Sequence, residues 1–558
     1  MDDGGDGADD WLDERTIASV RGDVRAFWDS LEAQAAQNVA QIAYSVDGRT
    51  FAYEAPLTAS LPVGGYVTLN TPDERTYLGQ VVTKSVVHRE GAQLGLDLDV
   101  ADLPGVPEGV NLSGVSDRLQ APALEGTGTL LGRVETDGFQ RPGAGDTFHR
   151  ATIERADAAL VDRYLAGSER HARLPIGRAL YVDGEATVRL DAPGFSRHTF
   201  LCGQSGSGKT FSLGIVLEQL LLETDLRIVV VDPNSDFTSL GQLRSLEEVN
   251  RVRRDPLSPD AYDRLAERYR EATAGLRVFR PAAVAGDDDE VLRLRFGDLS
   301  RTEQATAVGL HPLADRAEFN TFWHILDQLG GRDYSWDEVR QAIARDYSEA
   351  ARQLGLRIEN LGIADWETWC SRGESSLLDT LAGDDWRCLV LDVGTLGTPS
   401  ERAVVSNAVL TDLWSRRAER EPTLVVVDEA HNVCPRDPAD ELVAISTEAV
   451  NRIAAEGRKY GQYLLLSTQR PTKLAENTLS QCENLILMRM HSRSDLATLA
   501  GIFSHVPTGL LEEATGFGLG EAVLGGRFVQ NPTFARFDGR LSVEGGSDVP
   551  ATWARPHE

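Results

Sequence analysis

Lysine is nearly missing from this chain of 558 residues. Of its 56 basic residues only Lys84, Lys209, Lys459 and Lys473 are lysine, which leaves 52 arginines. Positive charge as a whole is also short, since 86 acidic residues bring the net charge to −30. A carboxylate-rich, lysine-poor surface matches a salt-accumulating, halophilic cytoplasm, where a Debye length of ~3 Å at 1 M salt screens self-repulsion. An acidic protein from a GC-rich genome is the alternative. Net charge describes the whole surface and leaves room for a local basic channel. Cysteine is scarce too: Cys202, Cys370, Cys388, Cys434 and Cys482 form no C-x-x-C pair. That argues against zinc and a disulfide framework and suits buried thiols in a reducing cytosol. No apolar run approaches ~18 residues, so no membrane span is predicted. The opening MDDGGDGADD lacks the basic and apolar regions of a secretory signal and reads as an acidic tail. The expectation is a cytoplasmic protein without membrane contact.

What is present is enough for several cores: 41% of residues are hydrophobic, and the length predicts two to four domains. Residues 1–34 read as the acidic tail and the start of a helix over Arg15–Ala43. Short strands follow at Gln41–Ser45, Phe51–Glu54, Tyr66–Asn70, Tyr77–Lys84, Leu94–Val100 and Thr129–Val134, separated by turn residues. They predict a small β-barrel over 35–150. Leu180–Val182 and Ala186–Leu190 read as further strands. From His198 onward strands and helices alternate, which predicts an α/β domain with a parallel sheet over 151–238 and 386–540. Its buried strands are Arg227–Val231, Cys388–Val393, Thr423–Val427, Tyr463–Ser467 and Asn484–Met490. An insert over 239–385 carries helical spacing at Tyr262–Ala272, Arg301–Leu310, Phe319–Leu329 and Trp336–Tyr347. Glu521–Phe537 reads as a β-hairpin, and 541–558 as an extended tail.

Three motifs carry chemistry. Gly203-Gln204-Ser205-Gly206-Ser207-Gly208-Lys209-Thr210 fits the phosphate-loop pattern, with an apolar strand before it and the helical stretch Thr210–Leu222 after it. Its glycines turn backbone N–H groups toward phosphates, and the helix N-terminus adds partial positive charge. Lys209 is expected on the β- and γ-phosphates and Thr210 on Mg²⁺. A lysine kept here, where arginine has replaced it almost everywhere else, suits a site that needs a compact ammonium. The second motif is the apolar run Thr423–Val427 ending in Asp428-Glu429-Ala430-His431. Acids at a strand's carboxyl end face the ligand crevice of an open α/β sheet. Asp428 is expected to hold Mg²⁺ and Glu429 to act as general base on the attacking water. Capping of the next helix is the plainer role for such a pair. Third, Tyr463–Ser467 runs into Thr468-Gln469-Arg470-Pro471, where Gln469 can sense the γ-phosphate and the water.

These motifs, with Val230–Phe237 (VVDPNSDF), Glu456–Tyr460 (EGRKY) and Gln481–Met490, make the chain resemble the HerA/FtsK superfamily of hexameric DNA-pumping P-loop ATPases, and the HerA branch in particular. The β-rich region resembles that branch's HAS-barrel. The resemblance implies a RecA-like core in which the Gln469 strand lies between the phosphate-loop and Asp428 strands, with ATP and Mg²⁺ as ligands. It also implies that Arg458 is an arginine finger reaching a neighbouring subunit's site and that Arg197 supports the interface nucleotide. Asp232 is a candidate for ordering metal or water, although Asn234-Ser235 replaces the family's usual His-Gly. Lys473, Arg489 and Arg493 are candidate channel residues, with a charged surface loop as the alternative. The implied function is a ring translocase or helicase on double-stranded DNA, a hexamer, working with a NurA-type nuclease docked on the barrel in end resection and repair. A motor for anti-phage defence or DNA transfer, and a ring that remodels or scaffolds proteins, are the alternatives.

Overall fold

The computed structural model describes residues 39–90, 120–167 and 171–546. The acidic tail, most of the expected Arg15–Ala43 helix and the expected strand Leu94–Val100 lie outside them. Ile42 and Ala43, placed at the end of that helix, instead open a strand. The chain divides into two units. One holds residues through Tyr164 plus Leu180–Ala186; the other holds Leu165–Ala179 and Thr187 onward.

The first unit is built from β1 (Ile42–Ser45), β2 (Thr50–Pro56), β3 (Tyr66–Asn70), β4 (Thr76–Glu90), β5 (Gln120–Glu135), β6 (Gly138–Gln140) and β7 (Phe148–Arg155). Antiparallel pairing runs β2-β1-β7-β3-β4-β5, and β5 returns to β2, closing a six-stranded barrel with β6 paired beyond the ring. Period-two alternation sends Phe51, Tyr53 and Ala55 of β2 inward, where they meet Leu69, Tyr77, Leu124 and Ile153 in one core. A Cβ on Gly128 of β5 would stand 2.1 Å from the Phe51 ring, so glycine there gives the aromatic its room. β7 is not among the expected strands because FHRATIER sets charged residues among few apolar ones. β5 starts nine residues before the expected Thr129, through an Ala- and Gly-bearing stretch of weak strand propensity.

The second unit centres on one twelve-stranded sheet. Its strands are β8 (Arg173–Ala179), β9 (Thr187–Asp191), β10 (Thr199–Cys202), β11 (Arg227–Asp232), β12 (Leu276–Arg280), β13 (Glu290–Val291), β14 (Cys388–Asp392), β15 (Thr423–Val427), β16 (Gln462–Thr468), β17 (Asn484–Met488), β18 (Glu521–Gly525) and β19 (Thr533–Phe537). The order is β13-β12-β14-β11-β15-β16-β10-β17-β18-β19-β8-β9. Pairing is parallel from β13 to β17 and antiparallel from β17 to β9. β11, β14, β15 and β17 read as near-continuous apolar runs, as strands covered on both faces must, and β14, β15 and β17 are buried at every position. β16 lies between β10 and β15, the order the family resemblance implied.

Three expectations need correction. Leu180–Val182 is not a strand; the strand is β8, hidden in sequence by Pro175 and Gly177, where its register with β9 shifts. The stretch 239–385 is not helical throughout. Serine-led capping boxes do start helices at Leu246–Val252, Arg301–Ala307 and Trp336–Arg345. Yet β12, a five-residue run broken by two arginines, joins β14 and extends the central sheet. The tail expected from residue 541 begins with packed residues. Glu218, fully buried on helix Lys209–Glu223, accepts the backbone N–H groups of Leu541 at 2.9 Å and Ser542 at 2.7 Å. Buried Arg540 lies 3.8 Å from the same carboxylate. All five cysteines are buried. Among the described residues no helix is long and apolar enough to cross a membrane.

Candidate active site

β10 ends at Cys202, and the chain turns through Gly203–Gly208 into helix Lys209–Glu223. Gly206 and Gly208 take left-handed φ values of 71° and 92°, which a side chain would resist. Two neighbours brace the loop. Arg489, just past β17, donates from Nη2 to the Gly206 carbonyl at 2.8 Å, and its own carbonyl accepts the Gln204 N–H at 3.0 Å. Gly520 N donates to the Ser207 carbonyl at 2.9 Å.

Parallel register brings the ends of β10, β16 and β15 side by side. Lys209 Nζ, almost buried, donates to Asp428 Oδ1 at 2.9 Å and Ser467 Oγ at 3.2 Å, and lies 3.3 Å from Glu429 Oε1. Gln469 Nε2 donates to Glu429 Oε1 at 3.3 Å. His431 Nδ1 stands 3.2 Å from Glu429 Oε2 and 2.9 Å from Thr468 Oγ1. Glu429 itself sits in the left-handed region, at φ 42°, a costly conformation for a side-chain-bearing residue. Burial pushes its carboxyl up, but His431 and Lys209 outweigh that and hold it below the ordinary carboxylate value. Burial pushes the Lys209 ammonium down, and Asp428 with Glu429 more than restores it. Both groups are therefore charged at neutral pH.

A nucleotide with its Mg²⁺ fits this set. Asp428 Oδ2 and Ser207 Oγ are buried without a hydrogen-bond partner. Oxygen donors from Thr210 and Asp428 suit a hard divalent cation. Thr210 Oγ1 donates to Asp236 Oδ2 at 3.1 Å, which adds a carboxylate that the sequence pattern does not single out from Asp232. Asp232 does other work. It accepts from the backbone of Asn234 at 3.2 Å, Asp236 at 3.1 Å and Phe237 at 2.8 Å, so it caps the turn after β11. Its burial pushes that carboxyl up to about 7.

The two residues assigned to an interface lie elsewhere. Arg458 and Arg197 precede β16 and β10, at the opposite strand ends from the phosphate loop, and both contact Glu483. Of the three channel candidates, Arg489 is committed to the phosphate loop, whereas Lys473 and Arg493 are exposed. His431 and Ser467 escape the sequence reading as well. Each sits beside a recognised motif residue, but only the register of β15, β16 and β10 shows which of them faces the site.

The fold and this site define a P-loop ATPase. Residues 174–355 match the family model described as helicase HerA, central domain. The chain is 25% identical over 391 residues to the DNA double-strand break repair helicase HerA of Sulfurisphaera tokodaii, covering 67% of this chain and 70% of that one. It is 33% identical over 129 residues to the same-named protein of Pyrococcus furiosus, covering 23% of each. Among solved structures, VirB4 of Thermoanaerobacter pseudethanolicus aligns at TM-score 0.43 and 14% identity, over 69% of this chain and 99% of that one.

Proposed function

We propose that the chain is an ATP-driven motor on double-stranded DNA, assembled as a ring, most simply a hexamer, and serving repair of double-strand breaks. The observation that carries the reading is the convergence of Lys209, Asp428, Glu429 and Gln469 at three adjacent strand ends. The double-strand break repair helicases it resembles supply the DNA. In this reading Gly203–Gly208 cradle the triphosphate with backbone N–H groups. Lys209 exchanges its carboxylate partners for the β- and γ-phosphates. Thr210 and Asp428 hold Mg²⁺, which supplies charge neutralisation on the transferred phosphoryl. Glu429, freed from Lys209, takes the proton of the attacking water while Gln469 orients that water. Arg458 completes the site of the adjacent copy, and Arg197 stands beside it. Resection needs a nuclease, here a NurA-type partner seated on the barrel, and the acidic surface suits a salt-rich cytoplasm.

Blunt-ended duplex DNA tests the reading. ATP turnover should rise when duplex is added, and a triplex-forming strand on the duplex should be displaced with ATP present. An ATPase rate indifferent to DNA, with no displacement, would contradict a DNA motor.

A further inference from the structure

Glu483, immediately before β17, collects three guanidinium groups. Arg458 pairs with its Oε1, while Arg197 Nε and Arg527 Nε lie 3.5 and 3.6 Å from its Oε2. Among the described residues these arginines have no other ion-pair partner, so one carboxylate offsets one of three positive charges in a chain whose total is −30. The set is open to solvent: side-chain exposure is 33% for Arg458, 37% for Glu483, 38% for Arg197 and 71% for Arg527.

The backbone beneath the set is fixed from the interior. Asn484, fully buried, donates from Nδ2 to the Gly194 carbonyl at 3.0 Å and Thr199 Oγ1 at 3.1 Å, and accepts the Arg527 N–H on Oδ1 at 2.7 Å. Gly526 makes that last contact possible, since a Cβ there would fall 2.5 Å from the Glu483 carbonyl and 2.6 Å from Asn484 Oδ1. His198 is buried as well. Its Nδ1 accepts the Leu464 N–H at 3.0 Å, so the ring proton is on Nε2 and is donated to the Ala454 carbonyl at 3.0 Å. Its own carbonyl accepts the Glu483 N–H at 3.0 Å. Two buried polar side chains thus position the segments that carry all four charged residues.

We propose that Arg527 is a third member, with Arg458 and Arg197, of an arginine set presented to the triphosphate bound by an adjacent copy of this chain, and that Glu483 parks the set until phosphate replaces it. The proposal rests on the trans role given to Arg458 above and adds Arg527 and Glu483 to it. The set cannot serve its own phosphate loop. Arg197 precedes β10 and the loop follows it, and a strand rising ~3.3 Å per residue separates them. Guanidinium is the fitting cation because its planar fork engages carboxylate and phosphate alike, which allows the exchange of one for the other.

Subunit association measured by sedimentation, with and without a slowly hydrolysed ATP analogue, tests this. The analogue should tighten association of the unaltered protein. Arg527→Ala should bind a fluorescent ATP analogue as the unaltered protein does when both are dilute and unassociated, yet lose at least ~10-fold of that tightening, the scale of removing one partner of a charged pair across an interface. Glu483→Gln, lacking the competing carboxylate, should associate more tightly with analogue present, and Glu483→Asp should behave as the unaltered protein. Full tightening in Arg527→Ala, with tightening lost in Arg458→Ala, would overturn the role of Arg527 and leave that of Arg458 standing. Full tightening in both would overturn the trans reading itself. Weaker association in Glu483→Gln would overturn the parking role and make Glu483 a structural partner only.

Discussion

At the carboxyl ends of β10, β15 and β16 one lysine faces two carboxylates; at the amino ends of β10, β16 and β17 one carboxylate faces three arginines. The first cluster is buried and the second is partly open to solvent. Burial at the first end opposes ionisation of Glu429 but strengthens its pairing with His431 and Lys209, which together keep it ionised. Exposure at the second end lets arginines leave their partner at little cost, since exposed ion pairs are worth only ~0–1 kcal/mol. A parallel sheet sets the two ends apart by the length of its strands, so in the proposed reading one copy would offer a catalytic face at one end and a donor face at the other.

The sharpest way to break this division is at Glu429. Glu429→Gln keeps size and hydrogen bonding but cannot accept the proton, and loss of a general base costs ~10²–10⁴ in rate. The variant should retain ATP without turnover, read by nucleotide retention on a filter against product release. Lys209→Ala should fail earlier, at nucleotide binding. Hydrolysis at the unaltered rate in Glu429→Gln would remove the base from this end.

The second prediction concerns the support under the catalytic end. Arg540→Met takes the guanidinium away from fully buried Glu218 on the phosphate-loop helix, and breaking a buried pair this way costs about 3–5 kcal/mol. Chemical denaturation should show that loss, together with weaker nucleotide binding. A change below about 1 kcal/mol would mean that the backbone bonds from Leu541 and Ser542 suffice alone.

The third probes the donor end by pH. Burial pushes the His198 imidazole down to about 4, with Arg458 adding to the shift. The unfolded chain, with an ordinary value near 6.5, binds the proton more readily, so the contribution of neutral His198 is fully present above that value. It falls away as pH drops toward 4, by about 3 kcal/mol in all. Asp232, raised to about 7, acts in the opposite sense: its contribution is present at low pH and is lost as pH rises through 7. Comparing the protein with His198→Asn removes that background. The stability gap between them should narrow from pH 7 to pH 4, and a gap independent of pH would mean that the ring is not held neutral.

The smallest effect expected is from salt. Surface carboxylates repel one another in dilute buffer, and the thermal midpoint should rise as KCl approaches 1 M. A midpoint unmoved by KCl would disconnect the acid surplus from stability.

Sequence pattern was most informative where an apolar run leads into a polar or glycine-rich turn, as in β10, β15 and β16, because burial and crevice position then both follow from the order of residues. It was least informative where neighbours settle the matter. The β8 strand is masked by its own Pro175 and Gly177. Residues after 540 read as a tail because nothing local reveals that Glu218, more than three hundred residues earlier, will bind them. Asp232 and Asp236 share one motif, and only the fold shows that the former caps a turn while the latter meets Thr210. Glu483 lies within the Gln481–Met490 motif, but nothing in that stretch points to its three partners, which come from three other segments of the chain.

The division of labour between the two strand ends is tested most directly by mixing two inactive variants. Lys209→Ala lacks a working catalytic end but keeps Arg458, and Arg458→Ala lacks the donor arginine but keeps its phosphate loop. Co-assembled, some interfaces unite an intact phosphate loop with an intact Arg458 from the adjacent copy. ATP turnover by the mixture, above the sum of the two variants alone, is the predicted result. No recovery, in assemblies verified by mass to contain both variants, would contradict the account and return Arg458 to a role within its own chain.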